Sequence, residues 1–191
     1  MMTQALQFLL ETIFGLFVLA VLLRFYLQWA RAPFHNPFSQ FIAALTDFAV
    51  KPLRRIIPGL FGLDLASLLL AWLVEYVLLL ALFGLGGLFT LKADPSVFIA
   101  IGFLATLKLV RISIYILLGA VFVQAILSWT NPHTPLAPLL NRLTEPFLRP
   151  LRRIVPPLAN VDLSPLVLFI ICELLLMVPL LWLENMAMRL A

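Results

Sequence analysis

The sequence predicts an all-α membrane protein, with four transmembrane helices arranged as two parallel repeats, each carrying a short amphipathic helix and a basic loop between its spans. Three observations predict it. Hydrophobic residues make up 63% of the 191 positions and charged residues only 12%, with a mean hydropathy of +1.10. That leaves too little polar surface to enclose a water-soluble core. Four apolar stretches reach the ~20 residues of helix that cross a hydrocarbon layer of ~30 Å. Finally, an eight-residue basic motif occurs twice, 98 positions apart.

The first span, 6–29, is apolar except for Glu11, Arg24 and Gln28 near its ends. It has no positive n-region and no convincing cleavage site, so a retained helix is expected rather than a removed signal peptide. An amphipathic segment follows at 37–50, where Phe38, Phe41, Ile42, Leu45 and Phe48 recur at helical spacing while Ser39, Gln40, Thr46 and Asp47 fall elsewhere on the wheel. The second span, 65–91, contains Glu75 and is softened by Gly84, Gly86 and Gly87. These elements form a first repeat, 1–91.

Residues 97–129 are apolar over a length that would reach roughly 50 Å as one helix. Lys108 and Arg111 are therefore expected to divide this stretch into a connector at 92–105, interfacial or re-entrant, and a third span at 109–129. A single long, tilted helix is the alternative. The second repeat, 106–191, continues with an amphipathic segment at 135–148, built on Leu136, Leu139, Leu140, Leu143 and Phe147. Its last span, 163–183, carries Pro179 near the far end, where loss of a backbone hydrogen bond is easiest to tolerate. The amphipathic segments suit either the headgroup plane or packing against the spans.

Lys51-Pro52-Leu53-Arg54-Arg55-Ile56-Ile57-Pro58 recurs as Arg149-Pro150-Leu151-Arg152-Arg153-Ile154-Val155-Pro156. At the same offset Pro37 matches Pro135, Thr46-Asp47 matches Thr144-Glu145, Asp64-Leu65 matches Asp162-Leu163 and Glu75 matches Glu173. Trp29 and Trp129 align after a two-residue shift. Each half has two spans, an even number, so both halves point the same way and both basic motifs share one side. Nine of the thirteen Lys and Arg residues fall there: Arg24, Arg31, Lys51, Arg54, Arg55, Arg142, Arg149, Arg152 and Arg153. Lys92, Lys108, Arg111 and Arg189 fall on the other. The positive-inside rule then makes the basic loops cytoplasmic and both termini external.

Two readings suit the arginine pairs. One is topology determination with salt bridges to Asp47 or Glu145; the other is capture of anionic headgroups or an acidic partner by Arg54, Arg55, Arg149, Arg152 and Arg153, with Thr144 and Glu145 beside them. Nucleic acid is not expected, because the clusters are small and lack interleaved stacking aromatics. Asp64 and Asp162 stand where a carboxylate accepts the free amides of a helix's first turn, and Ser164-Pro165 suits such a start. Glu75 and Glu173 each cost on the order of 2.5–3.5 kcal/mol within a span, which marks them either as packing anchors or as part of an ion path. His35 and His133 lack partner ligands, and Cys172 is the single cysteine, so no metal, haem or intrachain disulfide is expected. No nucleophile–base pair or phosphate-binding glycine loop occurs, and neither catalysis nor a cofactor is expected.

The second half reads Trp129, Thr144-Glu145-Pro146, Arg152-Arg153-Ile154-Val155-Pro156 and Asp162-Leu163-Ser164-Pro165. This closely resembles the repeat unit of the YggT family of small membrane proteins. The first half departs from the unit, with Thr46-Asp47-Phe48 and Asp64-Leu65-Ala66-Ser67 in the corresponding places. The resemblance implies a multi-pass bacterial inner-membrane protein with an accessory or assembly role, since plastid members are associated with cytochrome b6 maturation and bacterial members with cell-division or osmotic-stress phenotypes. A scaffold using the basic motifs, with lipid and either a protein partner or a second copy of itself, is the leading expectation. A small transporter or channel component built on Glu75 and Glu173 is the alternative.

Overall fold

A computed structural model describes residues 2–31, 36–57, 59, 63–86, 95–131, 134–155 and 162–190, excluding the side chains of Trp129 and Leu190. His35, His133, Pro58, Pro156, Gly87 and Lys92 lie outside the described residues, as does the end of the expected second span at 87–91. The helices are α1 (Met2–Trp29), α2 (Pro37–Ile56), α3 (Leu65–Leu85), α4 (Pro95–Thr130), α5 (Ala137–Ile154), α6 (Ser164–Leu175) and α7 (Leu181–Leu190). A π-helical turn, Leu176–Leu180, joins the last two.

Among the described residues four helical segments are long and apolar enough to cross a bilayer: α1, α3, α4 and the composite of α6 and α7. In lipid a helix satisfies its own backbone amides, which is why these runs are helical. Only 22–28% of the residues in each span's most apolar window are buried. Of the remaining side chains some pack partly against the core, while others, Phe8, Val77, Phe122 and Ile170 among them, are exposed and face what would be hydrocarbon.

Helix α4 lies at the centre. Its Leu109 and Ile116 share an apolar cluster with Val18, Val21 and Leu22 of α1 and Ala71 of α3. Its Ile101, Leu104, Leu118 and Val121 share another with Leu168, Cys172, Leu176 and Leu180 of the fourth span. A third cluster joins Ala120 to Leu27 of α1 and to Leu139, Leu140 and Leu143 of α5. Residues 18–22 thus meet 109–116 and residue 27 meets 120, so the first and third spans run in the same direction, as a parallel repeat requires.

Several boundaries differ from the sequence reading; the first is that α1 already begins at Met2. The stretch 97–107 is not a separate interfacial or re-entrant piece: α4 is one continuous helix of 36 residues, about 54 Å at 1.5 Å per residue. Its interior holds no proline, and its two cations have acidic partners instead of needing an interface. Lys108 Nζ lies 3.7 Å from Glu75 Oε1, and Arg111 forms a two-pronged pair with Glu184.

The basic motifs are not loops either. Helices α2 and α5 continue through Pro52 and Pro150 and end at Ile56 and Ile154, with Arg54, Arg55, Arg152 and Arg153 in their last turns. Cations are favoured there by the negative end of the helix dipole. The fourth span extends past 183 to Leu190, because the π-helical turn around Pro179 absorbs the missing amide without ending the helix.

Both arginine motifs therefore lie at the same end of the bundle, opposite Met188. In a Cys172→Ser background, single cysteines at Arg55 and Arg153 should react with a membrane-impermeant maleimide from one side of the membrane and a cysteine at Met188 only from the other. Labelling of 55 and 153 from opposite faces would exclude the parallel arrangement.

Candidate functional site

Each amphipathic helix is held to the span before it by the threonine of the repeated motif. Thr46 is fully buried and accepts from Arg24 Nη1 at 2.8 Å, while the same nitrogen donates to Asp47 Oδ1 at 2.7 Å. Lys51 completes this network, with Nζ 2.7 Å from Asp47 Oδ2. One hundred positions on from Arg24, Gln124 does the corresponding work. The buried Thr144 hydroxyl donates to Gln124 Oε1 at 2.6 Å, and Gln124 Nε2 donates to Asn141 at 2.6 Å. Thr144 is thus fully buried and ties α5 to α4. The two halves also meet directly where Asn36 Nδ2 donates to the Pro135 carbonyl at 2.7 Å.

Each amphipathic helix is then tied forward to the span after it. Arg54 Nε donates to Asp64 Oδ1 at 3.1 Å, and its Nη2 closes a fork on Asp64 Oδ2. The same Nη2 reaches Gln28 Oε1 at 2.7 Å, bringing α1 into the joint. Asp64 is buried and also caps α3 by accepting the Ser67 amide at 3.3 Å. In the second half Arg152 Nε donates to Asp162 Oδ2 at 2.8 Å and Nη1 to Glu145 Oε2 at 3.2 Å. Asp162 accepts the amide of Ser164, the first residue of α6, at 2.9 Å. The planar guanidinium suits this fork geometry.

The arginine pairs therefore divide. Arg54 and Arg152 close these clamps, whereas Arg55, Arg149 and Arg153 are exposed and have no ion-pair partner among the described residues. Asp47, one of the anions considered for the arginine pairs, binds Arg24 and Lys51 instead.

Burial drives the Asp64 carboxyl upward, but Arg54 and the Ser67 hydroxyl and amide outweigh it and hold the group below its ordinary range. Asp162 shows the same balance, burial being outweighed by Ser164 and Arg152. At Asp47 the Lys51 hydrogen bond lowers the carboxyl first, burial opposes it, and Arg24 lowers it further.

The repeated glutamates are not equivalent. Glu75 is buried and paired with Lys108, while Glu173 is half-buried without an ion-pair partner among the described residues. The two grooves that run along α1 and α4 are lined by neither. Among the described residues no group of His, Cys, Asp and Glu is arranged to hold a metal ion. Composition carried no sign of the partners of Arg24, Arg111 and Gln124; a polar residue inside each span was the only available signal.

These features define a class: a multi-pass helical membrane protein of two like halves, each with a basic amphipathic helix clamped between its spans. The CCB3/YggT family model matches the chain twice, at residues 3–85 and 92–183, and the chain belongs to this family. A Vibrio alginolyticus protein, described by its place 3′ of proC, is 41% identical over 170 residues, covering 87% of this chain and 88% of the relative. The Escherichia coli K12 protein described as uncharacterized protein YggT is 37% identical over 167 residues, covering 87% and 84%. A Pseudomonas aeruginosa protein is 38% identical over 181 residues, covering 88% and 84%. No solved structure matches the chain significantly.

The two clamps should differ in strength. The Arg54–Asp64 pair has a carboxylate 2% exposed, against 41% for both partners of Arg152–Asp162. Arg54→Ala strands a buried carboxylate and should cost about 3 kcal/mol, whereas Arg152→Ala should cost below about 1 kcal/mol; thermal unfolding in mild detergent measures both. A carboxyl held low in the fold contributes stability at neutral pH and loses it as pH falls through the depressed value. The melting temperature should therefore fall on acidification below about pH 4, the ordinary aspartate range, and Asp64→Asn should flatten that decline.

Proposed function

We propose that this chain is a non-enzymatic accessory or assembly protein of the bacterial inner membrane, whose cytoplasmic basic face engages anionic lipid headgroups or an acidic protein partner. The observation that carries this reading is the division of the arginine pairs. One arginine of each pair closes a clamp, and its neighbour, Arg55 or Arg153, stands exposed at the same end of the bundle without a partner among the described residues. A guanidinium in that state is free to bind phosphate or carboxylate.

The cytoplasmic assignment rests on the nine Lys and Arg residues at that end. Roles in membrane assembly, cell division or the osmotic response would each use such a face to hold a partner at the bilayer. An ion path through Glu75 and Glu173 has less support, since Lys108 neutralises the first and the second has no matching partner among the described residues.

The test is native purification in nanodiscs at natural abundance, comparing wild type with Arg55→Gln/Arg153→Gln. Each basic residue at a membrane surface contributes on the order of 1 kcal/mol, so before any delipidation the double variant should enrich loosely held anionic lipid roughly tenfold less, or lose a co-purifying protein, at an unchanged melting temperature. Unchanged lipid and protein content in the variant would refute the reading.

A further inference from the structure

Beside the clamps an open groove of about 300 Å³ is lined by Arg31, Arg142 and Arg149 together with Trp29. All three arginines are exposed and have no ion-pair partner among the described residues. Glu145 also lines the groove, but it accepts from Arg152 at 3.2 Å. The charge available to a ligand is therefore positive. Arg142 and Arg149 are two helical turns apart on α5, about 10.5 Å along its axis. Arg31 comes from the other repeat and is turned out of α1 by a left-handed backbone, φ 49°. The positive groove thus spans the two halves.

An apolar groove of about 260 Å³ adjoins it, lined by Tyr26, Trp29, Val110, Ala120, Leu143 and Phe147 among others. Trp29 lines both grooves, and its ring lies 6.3 Å from that of Phe147. Helix α5 forms a common wall, turning Arg142, Pro146 and Arg149 toward the charged groove and Leu143 and Phe147 toward the apolar one. Val110, Trp29 and Phe147 are each more than a third exposed, so the apolar groove opens sideways onto the surface that faces lipid.

A soluble anion would use only the charged part, and a neutral lipid only the apolar part. We propose that the two grooves together hold one anionic phospholipid drawn from the bilayer, its phosphate among Arg31, Arg142 and Arg149 and an acyl chain between α1, α4 and α5. This rests on the lipid-binding reading above and narrows it from a general basic face to one site bridging the two repeats. Occupancy would join Arg31 of the first half to α5 of the second through the ligand.

Native mass spectrometry of the full chain from membranes containing phosphatidylglycerol and phosphatidylethanolamine tests this. Wild type should retain one phosphatidylglycerol through mild delipidation. Arg142→Gln/Arg149→Gln and the groove-filling Val110→Trp should each lower that bound fraction roughly tenfold or more, with melting temperatures unchanged in lipid-free detergent, while Arg55→Gln/Arg153→Gln should leave the tightly held molecule in place. Glycerol phosphate at millimolar concentration should not displace it. An undiminished bound fraction in either groove variant, or displacement by glycerol phosphate, would overturn the proposal. An equal loss in Arg55→Gln/Arg153→Gln would also overturn it while leaving the general basic face standing, and wild type with no anionic lipid at all would remove both.

Discussion

The pairing of Arg54 with Asp64 determines how the rest of the first half is arranged. It joins the last turn of an amphipathic helix to the first turn of a span, and through Gln28 it adds the end of the preceding span. Three chain segments therefore meet at one guanidinium. A carboxylate buried this deeply needs both its charge and its lone pairs answered, and the Arg54 fork together with the Ser67 amide and hydroxyl answers them. The direction in which the chain returns to the bilayer follows from that joint. The second half repeats it at Arg152 and Asp162 in a more open setting.

Charge pairing also explains how so apolar a bundle keeps ionised groups inside its helices. Arg24 is buried yet meets Thr46 and Asp47, Lys108 meets Glu75, and Arg111 meets Glu184. Each pair joins two helices that pack against each other, so an expensive desolvation becomes a constraint on which helices are neighbours. The length of α4 follows from the same principle. A helix with unpaired Lys108 and Arg111 would bring them to an interface, whereas one with acids opposite them continues unbroken from Pro95 to Thr130.

Duplication placed the same motif in two settings, and the settings have diverged. Arg24 and Gln124 occupy matching positions and both bind the motif threonine, but one is a cation and the other an amide. Asp47 has become the partner of a buried arginine, while Glu145 at the matching position shares Arg152 with Asp162. The central helix belongs to the second repeat yet packs against both halves. A charged groove can therefore draw residues from each.

Composition, span length and the 98-residue repeat were enough to determine an all-helical, four-span, duplicated membrane protein, because lipid admits few alternatives to a helix and an even number of spans per repeat dictates a parallel arrangement. The acidic cap of α3 was also legible, since an aspartate before an apolar run is a local signal, whereas α6 is capped at Leu163 without a side-chain bond and Asp162 reaches only the Ser164 amide. The tertiary structure alone decided which arginine of each pair is engaged and which is left exposed. Arg54 and Arg55 are adjacent and chemically identical, and only their angular positions on α2, set by how that helix packs on α1, bring one to Asp64 and leave the other outside. It alone decided that α4 is continuous, since Glu75 and Glu184 lie 33 and 73 positions from their cations and no local pattern reports partners that distant.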